Sequence, residues 1–201
     1  MYSCDLTLNL RKSLDVLYPT KPEEIMICVE IGSFEGRGSI MIQNHLCKNK
    51  DSILYCIDPF DDEYVLGNNT MAFWNSHCIG QYARFKQNTA HIPNMKEIKG
   101  CSDNMIPILD DDSIDFCYID GDHRPEQVYK DIINMFRKMK HNSIVLFDDY
   151  LWNMNTIVTK LGIDRFLYEY KDNYELLFQS YQLAIRIKKC STHPTLRVRE
   201  D

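Results

Sequence analysis

The sequence predicts an α/β fold, a doubly wound and mostly parallel seven-stranded sheet with one antiparallel edge strand supplied by a C-terminal hairpin. Three observations lead there. Short apolar runs alternate with helical stretches along the chain, the pattern of a layered parallel sheet. Two of the runs, Ile114 to Ile119 and Ser143 to Phe147, stop abruptly at acids, in Asp120-Gly121-Asp122-His123 and Asp148-Asp149-Tyr150. Buried parallel strands are near-continuously apolar, and ligands sit beyond their carboxyl ends. Two late runs, Tyr174 to Phe178 and Gln182 to Ile187, are separated by only three residues and would pair as a hairpin.

The elements follow in order. Ile25 to Ile31 is a first strand, then a glycine-rich turn and a helix near Gly38 to Cys47. Ile53 to Ile57 is a second strand ending at Asp58-Pro59, and a less regular region from Asp61 to His91 holds a helix around Met71 to Phe85. Lys96 to Lys99 is a short third strand, and the runs before Asp120 and Asp148 are the fourth and fifth. Between those two, Val128, Ile132, Phe136 and Met139 fall on one helical face, with Pro125 in the first turn, where its missing N–H costs nothing. Thr156 to Tyr170 is helical in character, with Gly162 expected to divide it. Residues 1–188 form one domain, and 189–201 are a polar tail. Ahead of the first strand, Leu8, Leu10, Leu14 and Leu17 suit a packing helix or a homo-oligomer contact.

Bulk properties bound the function. With 201 residues and 44% hydrophobic content the chain can bury a substantial core. Its net charge of −6 argues against nucleic acid as partner. No apolar run approaches a membrane span, and the N-terminus lacks a secretory pattern. Of eight cysteines, Cys28, Cys56 and Cys117 lie inside strand-like runs and no C-x-x-C pair occurs. They read as core thiols of a cytoplasmic protein.

The turn after the first strand reads Glu30-Ile31-Gly32-Ser33-Phe34-Glu35-Gly36-Arg37-Gly38-Ser39. Its glycines allow a sharp turn and a close backbone approach to a ligand, although the spacing is not that of the dinucleotide fingerprint. Asp58, at the end of the next strand, stands where a carboxylate can hold ribose hydroxyls. Together these favour nucleoside binding.

The run Val29 to Gly36 resembles motif I of class I S-adenosylmethionine-dependent methyltransferases, and more narrowly the metal-dependent O-methyltransferases of the macrocin-type sugar and catechol/caffeoyl-CoA kinds. Ile57-Asp58-Pro59-Phe60 is similar to that family's ribose segment, Gly100 to Pro107 to its adenine-side loop, and the Asp120 and Asp148 segments to its metal segments. The likeness runs from about Ile25 to Lys188. It implies a Rossmann-like fold, with S-adenosylmethionine held around Glu30, Gly32, Ser33, Gly36, Ser39, Asp58, Ser102, Asp103, Asp120 and Asp122. One departure is Gly38, where relatives often carry a hydroxyl residue, with Ser39 next.

Clustered carboxylates repel one another unless a cation or protons compensate. By resemblance Asp120, Asp148 and Asp149 are ligands of a divalent metal, expected to be Mg²⁺, which favours oxygen donors. His123 matches the family's base position, where an imidazole can take a hydroxyl proton. A histidine there resembles the sugar-modifying branch more than the catechol branch, so the expected acceptor is a sugar, nucleotide-sugar or glycoside with vicinal oxygens, and phenols come second. Tyr150, Trp152 and the Asp61 to Trp74 segment are candidate pocket walls. A different class is a glycosyltransferase using Asp120-Gly121-Asp122 as its D-x-D, which leaves the glycine turn and the Asp148-Asp149 pair unexplained.

Overall fold

A computed structural model of the chain describes residues 8–61, 78–154 and 157–189. The helix expected from Met71 lies partly outside these residues, as do the segment up to Trp74 and the tail from 190 onward.

Seven strands form one sheet in the order β3-β2-β1-β4-β5-β9-β8. They are β1 (Ile27–Ile31), β2 (Ile53–Asp58), β3 (Met95–Lys99), β4 (Ile114–Ile119), β5 (Met139–Phe147), β8 (Tyr174–Gln179) and β9 (Leu183–Ile187). The first five run parallel. β9 inserts antiparallel beside β5, and β8 closes the edge antiparallel to β9. The fold expected from the sequence is the one observed. A small ribbon of β6 (Asn153–Met154) and β7 (Ile157–Val158) stands apart from this sheet.

Helices cover both faces, and a short α4 (Ser102–Met105) follows β3. Because successive strand residues point to opposite sides, Val29, Ile31, Cys117, Ile119, Val145 and Phe147 enter one core with α5 (Pro125–Lys138) and α6 (Thr159–Glu169). Cys28, Phe116, Tyr118, Ile144 and Leu146 enter the other, with α1 (Leu8–Leu17), α2 (Arg37–Leu46) and α3 (Gln81–Thr89). α1 is therefore a packing helix of this fold, with Leu10 and Leu14 fully enclosed. The strand cysteines Cys28, Cys56 and Cys117 are buried free thiols.

Two expectations need correction. Gly162 does not divide a helix, since α6 runs unbroken through it. A side chain at 162 would come within 2.8 Å of the Pro125 carbonyl carbon, so the glycine lets α5 and α6 approach closely. Met139 ends the α5 face only as the first residue of β5, because the helix stops at Lys138.

No helix among the described residues is long and apolar enough to cross a membrane.

Candidate active site

The strand order reverses direction at β1, whose neighbours are β2 and β4. In open α/β sheets that switch point opens a crevice at the strand carboxyl ends. Gly32 leaves β1 there with φ 87°, and a Cβ on it would lie 2.6 Å from both the Asp120 carbonyl carbon and the Gly121 Cα. Gly36, with φ 81°, precedes α2, and a Cβ there would meet Thr89 and Phe85 of α3. Both positions require glycine for conformation and for space.

Asp58 braces this turn. Its Oδ2 accepts the backbone N–H groups of Ser33 and Phe34, each at 3.0 Å, and its Oδ1 accepts that of Phe60 at 2.8 Å. Burial pushes its pKa up, opposed by these three donors. Beneath the turn Ser39 Oγ donates to Glu30 Oε2, and both side chains are enclosed. Burial raises Glu30 to about 7, with the Ser39 hydrogen bond opposing. A Cβ at Gly38 would reach within 2.5 Å of Glu30 Oε1, which explains the glycine there. The Ser33 hydroxyl is buried without a hydrogen-bond partner.

Past β3, Ser102 Oγ donates to Asp131 Oδ1 at 2.6 Å, and Gln127 Nε2 bridges Asp131 and Asp103. Asp131 is buried, which raises it to about 6, and its Oδ2 has no hydrogen-bond partner. Asp122 turns to the Arg124 guanidinium and backbone N–H.

The acidic rim forms where β4 and β5 end. Asp120 and Asp148 extend the parallel ladder by one residue each, through N–H bonds to Ile31 and Ile119. Donor atoms of Asp120, His123 and Asp149 all lie within 4.8 Å of one another. His123 Nε2 is 3.1 Å from Asp149 Oδ2 and 3.6 Å from Asp120 Oδ1, yet it is aligned for a hydrogen bond with neither. Burial lowers the imidazole pKa, but Asp120, Asp149 and Asp148 together raise it to about 8. Enclosure and the mutual repulsion of the acids push Asp120 and Asp148 above the usual carboxylate range. Asp149 adopts φ 53°, a left-handed conformation that short acids tolerate.

Asp148 stands behind this group. It accepts the Tyr118 hydroxyl at 2.5 Å, Gln182 Nε2 at 2.7 Å and the Asp149 N–H at 2.9 Å. The Tyr181 hydroxyl donates to Asp149 Oδ1 at 2.5 Å. Trp152 lies against the His123 ring, with centroids 4.9 Å apart. Tyr150 does not line this space. Its ring is in the core, its hydroxyl bonds Asp164, and Lys160 sits over the ring.

The sequence reading missed Tyr118, Gln182 and Tyr181 around the rim, and Asp131 and Gln127 in the α5 cluster. Asp131 alone carried a signal, because it falls on the apolar face of α5 between Val128 and Ile132.

Residues 29–150 match the family model of a methyltransferase domain, and the chain belongs to that family. An uncharacterized protein of Acanthamoeba polyphaga mimivirus is 33% identical over 147 residues, 68% of this chain and 57% of its own length. The chain thus spans little more than half of that relative. Among solved structures, the O-methyltransferase NovP superposes with TM-score 0.65 at 18% identity, over 90% of this chain and 78% of its own. TomG of Streptomyces achromogenes, an O-methyltransferase solved with S-adenosylmethionine, gives 0.60 at 14%, over 90% and 78%. SAH-bound PaMTH1 of Podospora anserina gives 0.57 at 13%, over 81% and 72%. At such identities the likeness is one of fold.

Proposed function

We propose that the chain is a divalent-cation-dependent O-methyltransferase, moving a methyl group from S-adenosylmethionine to a hydroxyl of a sugar, nucleotide-sugar or glycoside with vicinal oxygens. The observation that carries this reading is the placement of Asp120. Its backbone walls the Gly32 turn, and its side chain meets His123 and Asp149. One residue so joins the glycine turn to a set of metal-type donors. The solved relatives with bound S-adenosylmethionine or its product support the cofactor.

The residues fit a cation. Asp148 and Asp149 crowd Asp120 enough to raise its pKa beyond what burial alone does, and a positive ion would relieve that repulsion. Asp120, Asp148 and Asp149 would hold it, Asp148 through lone pairs left over from its three donors. Such an ion supplies Lewis acidity that lowers the pKa of an acceptor hydroxyl. His123 takes the hydroxyl proton, and Trp152 packs against its ring. Asp58, Gly32 and Ser33 shape the cofactor side, with Glu30 and Ser39 supporting the turn from below. Ser102 and Asp103 flank the adenine side, and Asp122 faces the turn on the cofactor side. Closely aligned reactants then account for much of the rate.

The broad indole beside His123 favours a second acceptor, a catechol or other phenol, which could stack on Trp152. The D-x-D glycosyltransferase reading has no support once the family is known.

A thermal-shift experiment tests the class. S-adenosylhomocysteine should raise the melting temperature in a concentration-dependent way, and uridine diphosphate with Mn²⁺ should not. Stabilisation by the nucleotide alone would overturn methyl transfer.

A further inference from the structure

Behind the acidic rim runs a buried relay from the N-terminal helix. Ser13 of α1 donates its hydroxyl to Gln182 Oε1 at 2.6 Å, and Gln182 Nε2 donates to Asp148 Oδ1 at 2.7 Å. The other Asp148 oxygen takes the Tyr118 hydroxyl at 2.5 Å, which also lies 3.3 Å from Asp120 Oδ2. Ser13, Tyr118, Asp148 and Gln182 are all buried. Ser13 and Gln182 fall outside the span matched by the family model.

The chemistry of these groups dictates their order. An ionised carboxylate only accepts, so the Gln182 amide must present its nitrogen to Asp148. Its oxygen then faces the interior, where an acceptor without a donor is costly. Ser13 is the donor that settles it. Flipping the amide would set its oxygen against a carboxylate oxygen. Asp148 is thus gripped on both oxygens by side chains from two elements, the β8–β9 turn and β4.

We infer that Gln182 is a positioning residue for the acidic rim, fixing the Asp148 carboxylate relative to Asp120, and that Ser13 makes α1 a working part of the cation site. This rests on the cation reading of the rim. Partners that orient metal-ligating groups commonly matter about 10–100-fold in metal affinity. A purely structural hydrogen bond would instead register in stability alone.

The test is Mn²⁺ binding to the full chain, followed by electron paramagnetic resonance, for the wild type, Gln182→Met and Ser13→Ala. Melting temperatures are measured in chelator. Methionine keeps the length of glutamine without its hydrogen bonds. Gln182→Met should weaken Mn²⁺ binding by about 10–100-fold, and Ser13→Ala should weaken it by a smaller factor. Ser13→Ala leaves the buried Gln182 oxygen without its donor and should lower melting in chelator by a few degrees while the chain stays folded, so it carries the test if the methionine variant fails to fold. Unchanged Mn²⁺ affinity in the variants, beside a wild type that binds, overturns the roles of Gln182 and Ser13 and leaves the cation reading standing. A wild type that binds no Mn²⁺ removes the cation reading, and the relay's purpose with it.

Discussion

The α-carbon of Gly32 rests against the backbone carbonyl of Asp120, so that a Cβ would come within 2.6 Å of that carbonyl carbon and nearer still to its oxygen. This contact ties the cofactor turn to the first acid of the rim. Gly32→Ala must push β1 and β4 apart or distort a backbone at φ 87°. The variant should lose roughly 2–3 kcal/mol of stability and most of its stabilisation by S-adenosylhomocysteine. Urea unfolding with and without the ligand checks both.

Glu30 makes stability depend on pH. Its pKa is raised by burial from 4.5 to about 7 in the folded chain. Above pH 4.5 the unfolded chain therefore releases a proton that the folded chain retains, and stability falls as pH rises toward 7. The loss has an upper bound of roughly 3 kcal/mol, at about 1.4 kcal/mol per pH unit. Unfolding from pH 4.5 to 8 should show this decline in the wild type and a flatter profile in Glu30→Gln. Asp131, raised by burial to about 6, adds a decline of the same sign at lower pH.

Removing the imidazole separates binding from chemistry. His123→Ala should cut turnover by about 10²–10⁴-fold, the usual worth of a general base. Its affinity for S-adenosylhomocysteine should stay nearly unchanged, because the described contacts of the glycine turn do not involve His123. Calorimetry and turnover on the same preparation check this, and surviving turnover would remove the base assignment.

Gly162 bears on the core beneath α5 and α6. A methyl group there would press on the Pro125 carbonyl, 2.8 Å from its carbon. Gly162→Ala should therefore destabilise the chain by about 1–3 kcal/mol, although alanine is the better helix former. A variant at least as stable as the wild type by thermal unfolding would show that α5 and α6 can separate at no cost.

That glycine also shows what a sequence leaves hidden. The strands were legible because each apolar run has the length of a strand and ends at a turn or an acid. Gly162 read as a helix divider because its reason lies across space, in the α5 backbone. Asp120, His123 and Asp149 could be found from their place after two strands. Tyr118 could not, since it sits within an apolar run and reads as core until its hydroxyl is seen between Asp120 and Asp148. Gln182 read as an ordinary residue after a turn. Its partners Ser13 and Asp148 lie far off in the chain, and the β5–β9 pairing brings in Asp148 while the packing of α1 brings in Ser13.

The central claim is that acids from two chain segments hold a cation beside an adenosyl sulfonium. Transfer of a labelled methyl group from S-adenosylmethionine to a panel of sugars, nucleotide-sugars and catechols, with and without chelator, tests it most directly. The account predicts labelling of a vicinal-oxygen acceptor that is lost with chelator, restored by Mg²⁺ or Mn²⁺, and absent in Asp120→Asn. Labelling that persists in chelator and in Asp120→Asn would contradict it.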